Sequence, residues 1–259
     1  MKNNINPVAF FDSGIGGLSV LRQAISKLPY ENYIYYADTK NVPYGTKPKE
    51  DIVKYIFEAV EFLAANNIKI LVVACNTATS AAVNDLRAKY DFPIIGMEPA
   101  VKPAIEKNKS KRILVTATSF TLRERKLESL ISDLDKNNII DKLALDSLVG
   151  YAENFDFKSV EVKEYIKERL SSVIIEDYET IVLGCTHFIF FKKIMQEMLP
   201  PHIEIIDGNE GTVNQMLRVM ENNRLLKTDE SKSLSFFSSG FKDTQDRVKK
   251  LKEVLKMKI

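Results

Sequence analysis

The chain carries two cysteines, and both occupy the same kind of position. Cys75 lies in VVACNTAT (residues 72–79) and Cys185 in VLGCTHFI (182–189), 110 residues apart. Each follows a short apolar run typical of a buried strand and precedes a small residue with a hydroxyl or amide group. A cysteine between a strand end and a helix N-terminus is expected to be partly exposed, with a pKa lowered by the helix dipole. Two such thiols facing each other would hold an anionic ligand between two acid/base groups.

Cys75, Cys185 and His187 could also have structural, hydrolytic or metal-binding roles. A single cysteine after a valine run is most often a small core hydrophobe, but the matching contexts favour chemistry. His187 follows Cys185 closely enough to act as its acid/base partner, with a structural role as the alternative. A Cys–His thiol hydrolase would leave the second cysteine unexplained. The spacing of these residues is not that of a metal site, so we predict none.

The glycine-rich stretch FFDSGIGG (residues 10–17) does not match a nucleotide-binding motif. It fits neither GxGxxG nor a Walker loop, because no Gly-Lys-Ser/Thr follows. Asp12 and Ser13 could cap the next helix. Alternatively, Asp12 could accept a proton from a substrate ammonium or hydrogen bond to the first thiol. The segment NVPYGTK (41–47) has the composition of a turn.

Strand-like and helical segments alternate along the chain, which predicts an α/β fold with mostly parallel sheets flanked by helices. The layout repeats after about 105 to 110 residues, so we expect two similar units rather than one wide sheet. The first domain is predicted to comprise residues 1–98 plus about 210–259, and the second about 99–209. The polar candidates follow strands, at the sheet edge where ligands of parallel sheets bind.

Composition narrows the functional class. The 259 residues are 45% hydrophobic and 28% charged, with a net charge of +2, which gives no electrostatic case for nucleic acid or membrane binding. No apolar signal region or membrane span is apparent, and two cysteines make a structural disulfide improbable. We therefore expect a cytoplasmic protein with reduced thiols.

Five motifs together carry a family resemblance. FDSGIGGLSVL, ADTKNVPYGTK, VVACNTATS, IGMEPAVKPA and LGCTHF, in this order, resemble the cofactor-independent glutamate racemases over nearly the whole chain. The resemblance implies two pseudo-symmetric α/β domains with the active site in the cleft between them. It also implies glutamate as the substrate, no cofactor, a homodimer, and supply of D-glutamate for peptidoglycan.

The resemblance also assigns roles to individual residues. Cys75 would remove the α-proton of D-glutamate and Cys185 that of L-glutamate, while Asp12 and His187 would assist them. Glu153 aligns with a further assisting carboxylate, although Leu145 and Asp146 replace the Cys-Pro usual nearby. The substrate would be held by Asp12, Ser13, Tyr44, Gly45, Asn76, Thr77, Thr118, Thr121, Thr186 and His187. The open alternatives are racemisation of another substrate, such as aspartate or a hydantoin, and a non-catalytic amino-acid-binding protein.

Overall fold

The computed structural model describes residues 4–109 and 111–257, so the first three and last two residues of the predicted first domain lie outside it. The strands in this part of the chain are β1 (Val8–Asp12), β2 (Asn32–Ala37), β3 (Ile70–Val73), β4 (Ile94–Gly96), β5 (Arg112–Ala117), β6 (Ile140–Ala144), β7 (Tyr178–Leu183), β8 (Glu204–Asp207), β9 (Ser233–Ser238) and β10 (Phe241–Lys242). The helices are α1 (Leu18–Lys27), α2 (Lys49–Ala65), α3 (Asn76–Lys89), α4 (Val101–Lys107), α5 (Ser119–Arg123), α6 (Arg125–Leu134), α7 (Ser147–Glu153), α8 (Val160–Leu170), α9 (Lys192–Met198), α10 (Asn209–Asn222) and α11 (Gln245–Lys256). Two 3₁₀ segments cover Ile175–Asp177 and Thr186–Phe191.

The strands form two sheets with the same internal order. The first sheet runs β10-β9-β2-β1-β3-β4 and the second β6-β5-β7-β8. The order β2-β1-β3-β4 is thus repeated as β6-β5-β7-β8, and every pairing is parallel except that of β10 with β9. The predicted α/β fold with two pseudo-symmetric parallel sheets is confirmed.

Strands β1, β2 and β3 of the first sheet are buried on both faces, as their apolar sequences predict. All five residues of VAFFD in β1 are buried. Val8 and Phe10 pack into one hydrophobic cluster, while Ala9 and Phe11 pack into another on the opposite face. The two-residue period of a strand therefore divides β1 between two cores, and helices must cover both sides.

The C-terminal part of the chain adds to the first sheet. Strand β9 pairs in parallel with β2, with Asn32 opposite Ser233. Helix α10 begins at Asn209 and, with α11, packs against α1.

Two helical segments are irregular. The segment after β5 is divided into α5 and α6, because Glu124 has an extended ψ of 135°. The segment after Cys185 begins as the 3₁₀ helix Thr186–Phe191 before α9. Its four successive residues FIFF are all buried, whereas an amphipathic helix would expose one face.

Two further features concern membranes and metals. No helix among residues 4–109 and 111–257 is long and apolar enough to cross a membrane. Within the same residues, no group of three or more His, Cys, Asp or Glu side chains is arranged to hold a metal ion.

A buried ion pair connects the start of β2 with the start of β3. Lys69 Nζ lies 2.7 Å from Glu31 Oε2, with side-chain exposures of 0% and 3%. The ammonium also donates to the Asn4 carbonyl, and the second Glu31 oxygen accepts the Lys227 N–H. Glu31 therefore ties the connection between α10 and β9 to the sheet.

Replacing Lys69 with Met should lower the free energy of unfolding by about 3–5 kcal/mol, because the Glu31 charge would stay buried without its partner. Urea denaturation measures this. Lys102→Met is the matched control, since its pair with Glu106 is 3.8 Å long with exposures of 68% and 63%; it should change stability by less than about 0.5 kcal/mol. Equal effects of the two variants would contradict the prediction.

Candidate active site

The carboxyl ends of four central strands place the predicted site residues together. Strand β1 ends at Asp12, and Cys75 lies just beyond β3. In the second sheet, Thr118 follows β5 and Cys185 follows β7. Three contacts join the two sets: Thr186 Oγ1 donates to Asp12 Oδ2 (3.0 Å), Ile15 N donates to Glu153 Oε1 (2.7 Å), and the hydroxyls of Thr77 and Thr118 lie 3.0 Å apart.

Cys75 is the N-cap residue of α3, and its thiol is buried. Its Sγ accepts the Ala78 N–H at 3.4 Å and donates to Ser13 Oγ at 3.6 Å, and the residue is 5% exposed. Burial, together with the nearby charge of Asp12, raises the pKa of Cys75 to about 12, although both hydrogen bonds act in the opposite direction. The predicted partial exposure and lowered pKa are wrong for this thiol, because desolvation outweighs the helix N-terminus.

Cys185, His187 and Glu153 form a chain of contacts beside the second sheet. Cys185 Sγ lies 3.8 Å from His187 Nδ1, and His187 Nε2 lies 2.7 Å from Glu153 Oε1. Cys185 is 7% exposed, so partial exposure is wrong here too. Burial opposes protonation of His187, but its hydrogen bonds to Cys185 and Glu153 raise its pKa well above the usual value. The imidazolium form therefore faces the Cys185 sulfur and stabilises negative charge there.

Asp12 is fully buried and joins the two sheets. Its Oδ1 accepts the Gly14 N–H at 2.9 Å and its Oδ2 accepts the Thr186 hydroxyl. Burial raises its pKa to about 6 against the opposing charge of His187. The carboxylate orders the DSGIGG turn instead of capping α1, whose N-cap is Gly17 without a side-chain bond. Its effect on Cys75 is through its charge, while Ser13 holds the hydrogen bond to the thiol.

Three threonine hydroxyls form a buried triangle across the two sheets. Thr77, Thr118 and Thr121 lie 3.0–3.1 Å from one another, and all three are buried. Gly45 packs directly on this group, because a Cβ there would lie 2.6 Å from Thr118 Cβ. These hydroxyls are placed to donate to an anionic ligand group.

Asn76 and Tyr44 complete the set of predicted residues. Asn76 Nδ2 donates to the Met97 carbonyl at 3.4 Å, whereas its buried Oδ1 has no hydrogen-bond partner within the described chain. That oxygen is an available acceptor for an ammonium group. The Tyr44 hydroxyl is already committed, since it donates to Asp38 Oδ2 at 2.6 Å.

Three residues at this site were missed from the sequence. Asp38 directly follows β2, whereas Asp12 is the last residue of β1, so the strand-end rule could have found Asp38 too. Asp146 accepts the N–H and hydroxyl of Ser119 and lies against Gly45. Tyr35 donates its hydroxyl to the Gly14 carbonyl at 2.7 Å. No sequence signal separates Tyr35 from the other aromatic residues of NYIYYA.

The surroundings of the two thiols differ, and a charge on Cys185 adds slightly to the rise in the pKa of Cys75. One thiol, Cys75, is held in its protonated form, while the other lies beside an imidazolium. Such a pair can remove a proton from a small molecule on one side and return a proton on the other.

Known proteins with related sequences and structures point to one class. Residues 18–216 match the family model described as Asp/Glu/hydantoin racemase. The chain is 50% identical over 250 residues to a glutamate racemase of Halothermothrix orenii, covering 96% of this chain and 98% of that protein. It is 51% identical over 255 residues to glutamate racemase 2 of Bacillus subtilis, covering 96% of each. The crystal structure of glutamate racemase from Francisella tularensis in complex with D-glutamate superposes with a TM-score of 0.83 at 25% identity, covering 97% of this chain and 94% of that chain.

Replacing Asp12 with Asn should stabilise the protein at neutral pH. The unfolded carboxyl ionises near pH 4, whereas the folded one ionises near pH 6. Between these values the folded state binds more protons, so wild-type stability falls as pH rises. Above pH ~6, Asp12→Asn should be more stable than wild type by up to about 3 kcal/mol, a gap that shrinks towards pH ~4. Urea denaturation across this range measures it, and a less stable variant at every pH would contradict the assignment.

Proposed function

Because this chain belongs to the Asp/Glu/hydantoin racemase family, and within it to the glutamate racemases, we propose that it interconverts L- and D-glutamate with Cys75 and Cys185 as the two acid/base groups. One observation carries the mechanism: the two sheets each contribute one buried thiol, at corresponding strand ends, and the two thiols differ in their hydrogen-bond partners. Cys75 has a pKa of about 12, and Cys185 faces the protonated imidazole of His187.

In the direction from L- to D-glutamate, the Cys185 thiolate removes the α-proton. The Cys75 thiol donates its own proton to the opposite face of the α-carbon, so the product is inverted and the thiolate passes to Cys75. In the reverse direction the roles exchange. Because burial favours the protonated form of Cys75, this thiol is suited to act as the acid in the direction from L- to D-glutamate.

The carbanion-like transition state needs stabilisation, because a carbon beside a carboxylate is a very weak acid. The N-terminus of α3 and the hydroxyl of Thr77 supply donors for the α-carboxylate, while the Thr186 hydroxyl holds Asp12 in place. Asn76 Oδ1 and Asp12 accept from the ammonium. The backbone of Tyr44 and Gly45, with Ser13, Thr118 and Thr121, holds the side-chain carboxylate. Burial of these groups excludes water, which strengthens each interaction.

We further propose the setting in which this reaction operates. D-Glutamate formed by this chain would supply peptidoglycan synthesis in the cytoplasm. The chain would act as a homodimer, with domains comprising residues 1–98 plus about 210–259 and about 99–209. Binding of D-glutamate by the Francisella tularensis relative supports glutamate as the substrate.

Single alanine variants test the two-cysteine mechanism. Cys75→Ala and Cys185→Ala should each lower racemisation of glutamate by about 100- to 10,000-fold, the usual contribution of one acid/base group. The assay is circular dichroism started from each enantiomer, with aspartate as a competing substrate. Thr180→Val is the matched control: this buried residue lies on β7 ahead of Cys185, and its variant should keep wild-type activity. Unchanged turnover in either cysteine variant would overturn the mechanism, and faster turnover of aspartate would overturn the substrate.

A further inference from the structure

One peptide group lies between the two sheets at the site. Its carbonyl, from Gly14, accepts the Tyr35 hydroxyl at 2.7 Å. Its N–H, from Ile15, donates to Glu153 Oε1 at 2.7 Å. The same amide therefore bonds to the interior of the first sheet through one end and to the second half of the chain through the other.

The Glu153 oxygen bound by this amide also contacts His187. Oε1 lies 2.7 Å from His187 Nε2, and His187 Nδ1 lies 3.8 Å from Cys185 Sγ. Gly14 permits this approach, because a Cβ at that position would lie 1.9 Å from Oε1. The amide N–H and the imidazole thus share one acceptor, and the amide fixes where that acceptor lies.

Tyr35 binds the carbonyl end of the Gly14–Ile15 peptide group. Its side chain is fully buried on β2, and its ring packs edge-on against Phe236 of β9 at a centroid distance of 6.2 Å. Burial, with the nearby carboxylates of Asp12 and Glu153, raises the pKa of Tyr35 well above its usual value. The hydroxyl therefore remains a donor, and a hydrogen bond to a carbonyl polarises the N–H of the same peptide group.

We propose that Tyr35 is a positioning residue for the acid/base group on the Cys185 side, acting through the Gly14–Ile15 peptide on Glu153 and His187. Without its hydroxyl, the Gly14 carbonyl loses its buried partner and the amide is free to turn away from Glu153. His187 then loses part of the support that keeps it protonated beside Cys185. Cys75 has its own partners, Ser13 and Ala78, and remains unaffected.

This inference rests on the proposed function, but its test does not depend on turnover. The equilibrium constant of a racemisation is one, so kcat/KM must fall equally in both directions whichever thiol is impaired. The discriminating readout is therefore the alkylation rate of each thiol with iodoacetamide, followed by mass spectrometry of the Cys75 and Cys185 peptides. Both rates come from the same molecules, so a general loosening of the cleft moves them together.

In Tyr35→Phe, the alkylation rate of Cys185 divided by that of Cys75 should fall about tenfold. Iodoacetamide reacts with the thiolate, and the variant lowers the thiolate population of Cys185 relative to that of Cys75. Tyr33→Phe is the matched control. Tyr33 lies two residues earlier on the same face of β2, is 3% exposed, and donates to the Ala24 and Leu28 carbonyls away from the site. That variant should keep the wild-type ratio and activity.

Glu153→Gln should lower the ratio as Tyr35→Phe does, and the double variant should lower it no further, because both changes act on one line of contacts. Should Tyr35→Phe fail to fold, Gly14→Ala displaces Glu153 from the same oxygen position and should have the same effect. An unchanged ratio in Tyr35→Phe, or additive effects in the double variant, would overturn the proposal. Failure of wild type to racemise glutamate would instead overturn the proposed function.

Discussion

Desolvation of charged groups is the constraint on which this site depends. Asp12, Glu153, His187 and both thiols lie where two sheets meet, and each charge there must be matched by donors or acceptors that replace water. Two of these partners come from the opposite half of the chain: Thr186 donates to Asp12, and the Ile15 N–H donates to Glu153. The hydrogen bonds that hold Asp12 and Glu153 are therefore complete only when the two halves of the chain are together.

The two sheets repeat the same strand order, but the side chains around the two thiols differ. Cys75 and Cys185 follow β3 and β7, which occupy equivalent places in the two sheets. Cys75 is paired with a neutral hydroxyl and lies near a carboxylate, whereas Cys185 is paired with an imidazole. A reaction that inverts one carbon needs an acid and a base at the same moment. Two coupled thiols in equal surroundings would share one proton evenly, whereas the surroundings of Cys75 favour placing that proton on Cys75.

The sequence predicted the sheets and the placement of the site well, because both follow from local patterns. Apolar runs mark β1, β3, β5 and β7, and parallel strands bring the residues after them to one edge. The pKa of Cys75 could not be predicted in the same way, since it depends on how completely α3 and the second sheet cover the thiol. The 3₁₀ segment after Cys185 and the break at Glu124 also depend on packing between distant elements. Tyr35 was missed because its partner is a backbone carbonyl in another segment, which leaves no pattern in the sequence.

The most direct test of the two-thiol account is incubation of the protein with L-glutamate in D₂O, followed early in the reaction by chiral separation and α-proton NMR. The account predicts D-glutamate that carries deuterium at the α-carbon, because its proton comes from a solvent-exchanged Cys75, while the remaining L-glutamate is still protiated. D-Glutamate that retains the original α-proton, or deuterium appearing equally in both enantiomers from the start, would indicate a single base and contradict the account.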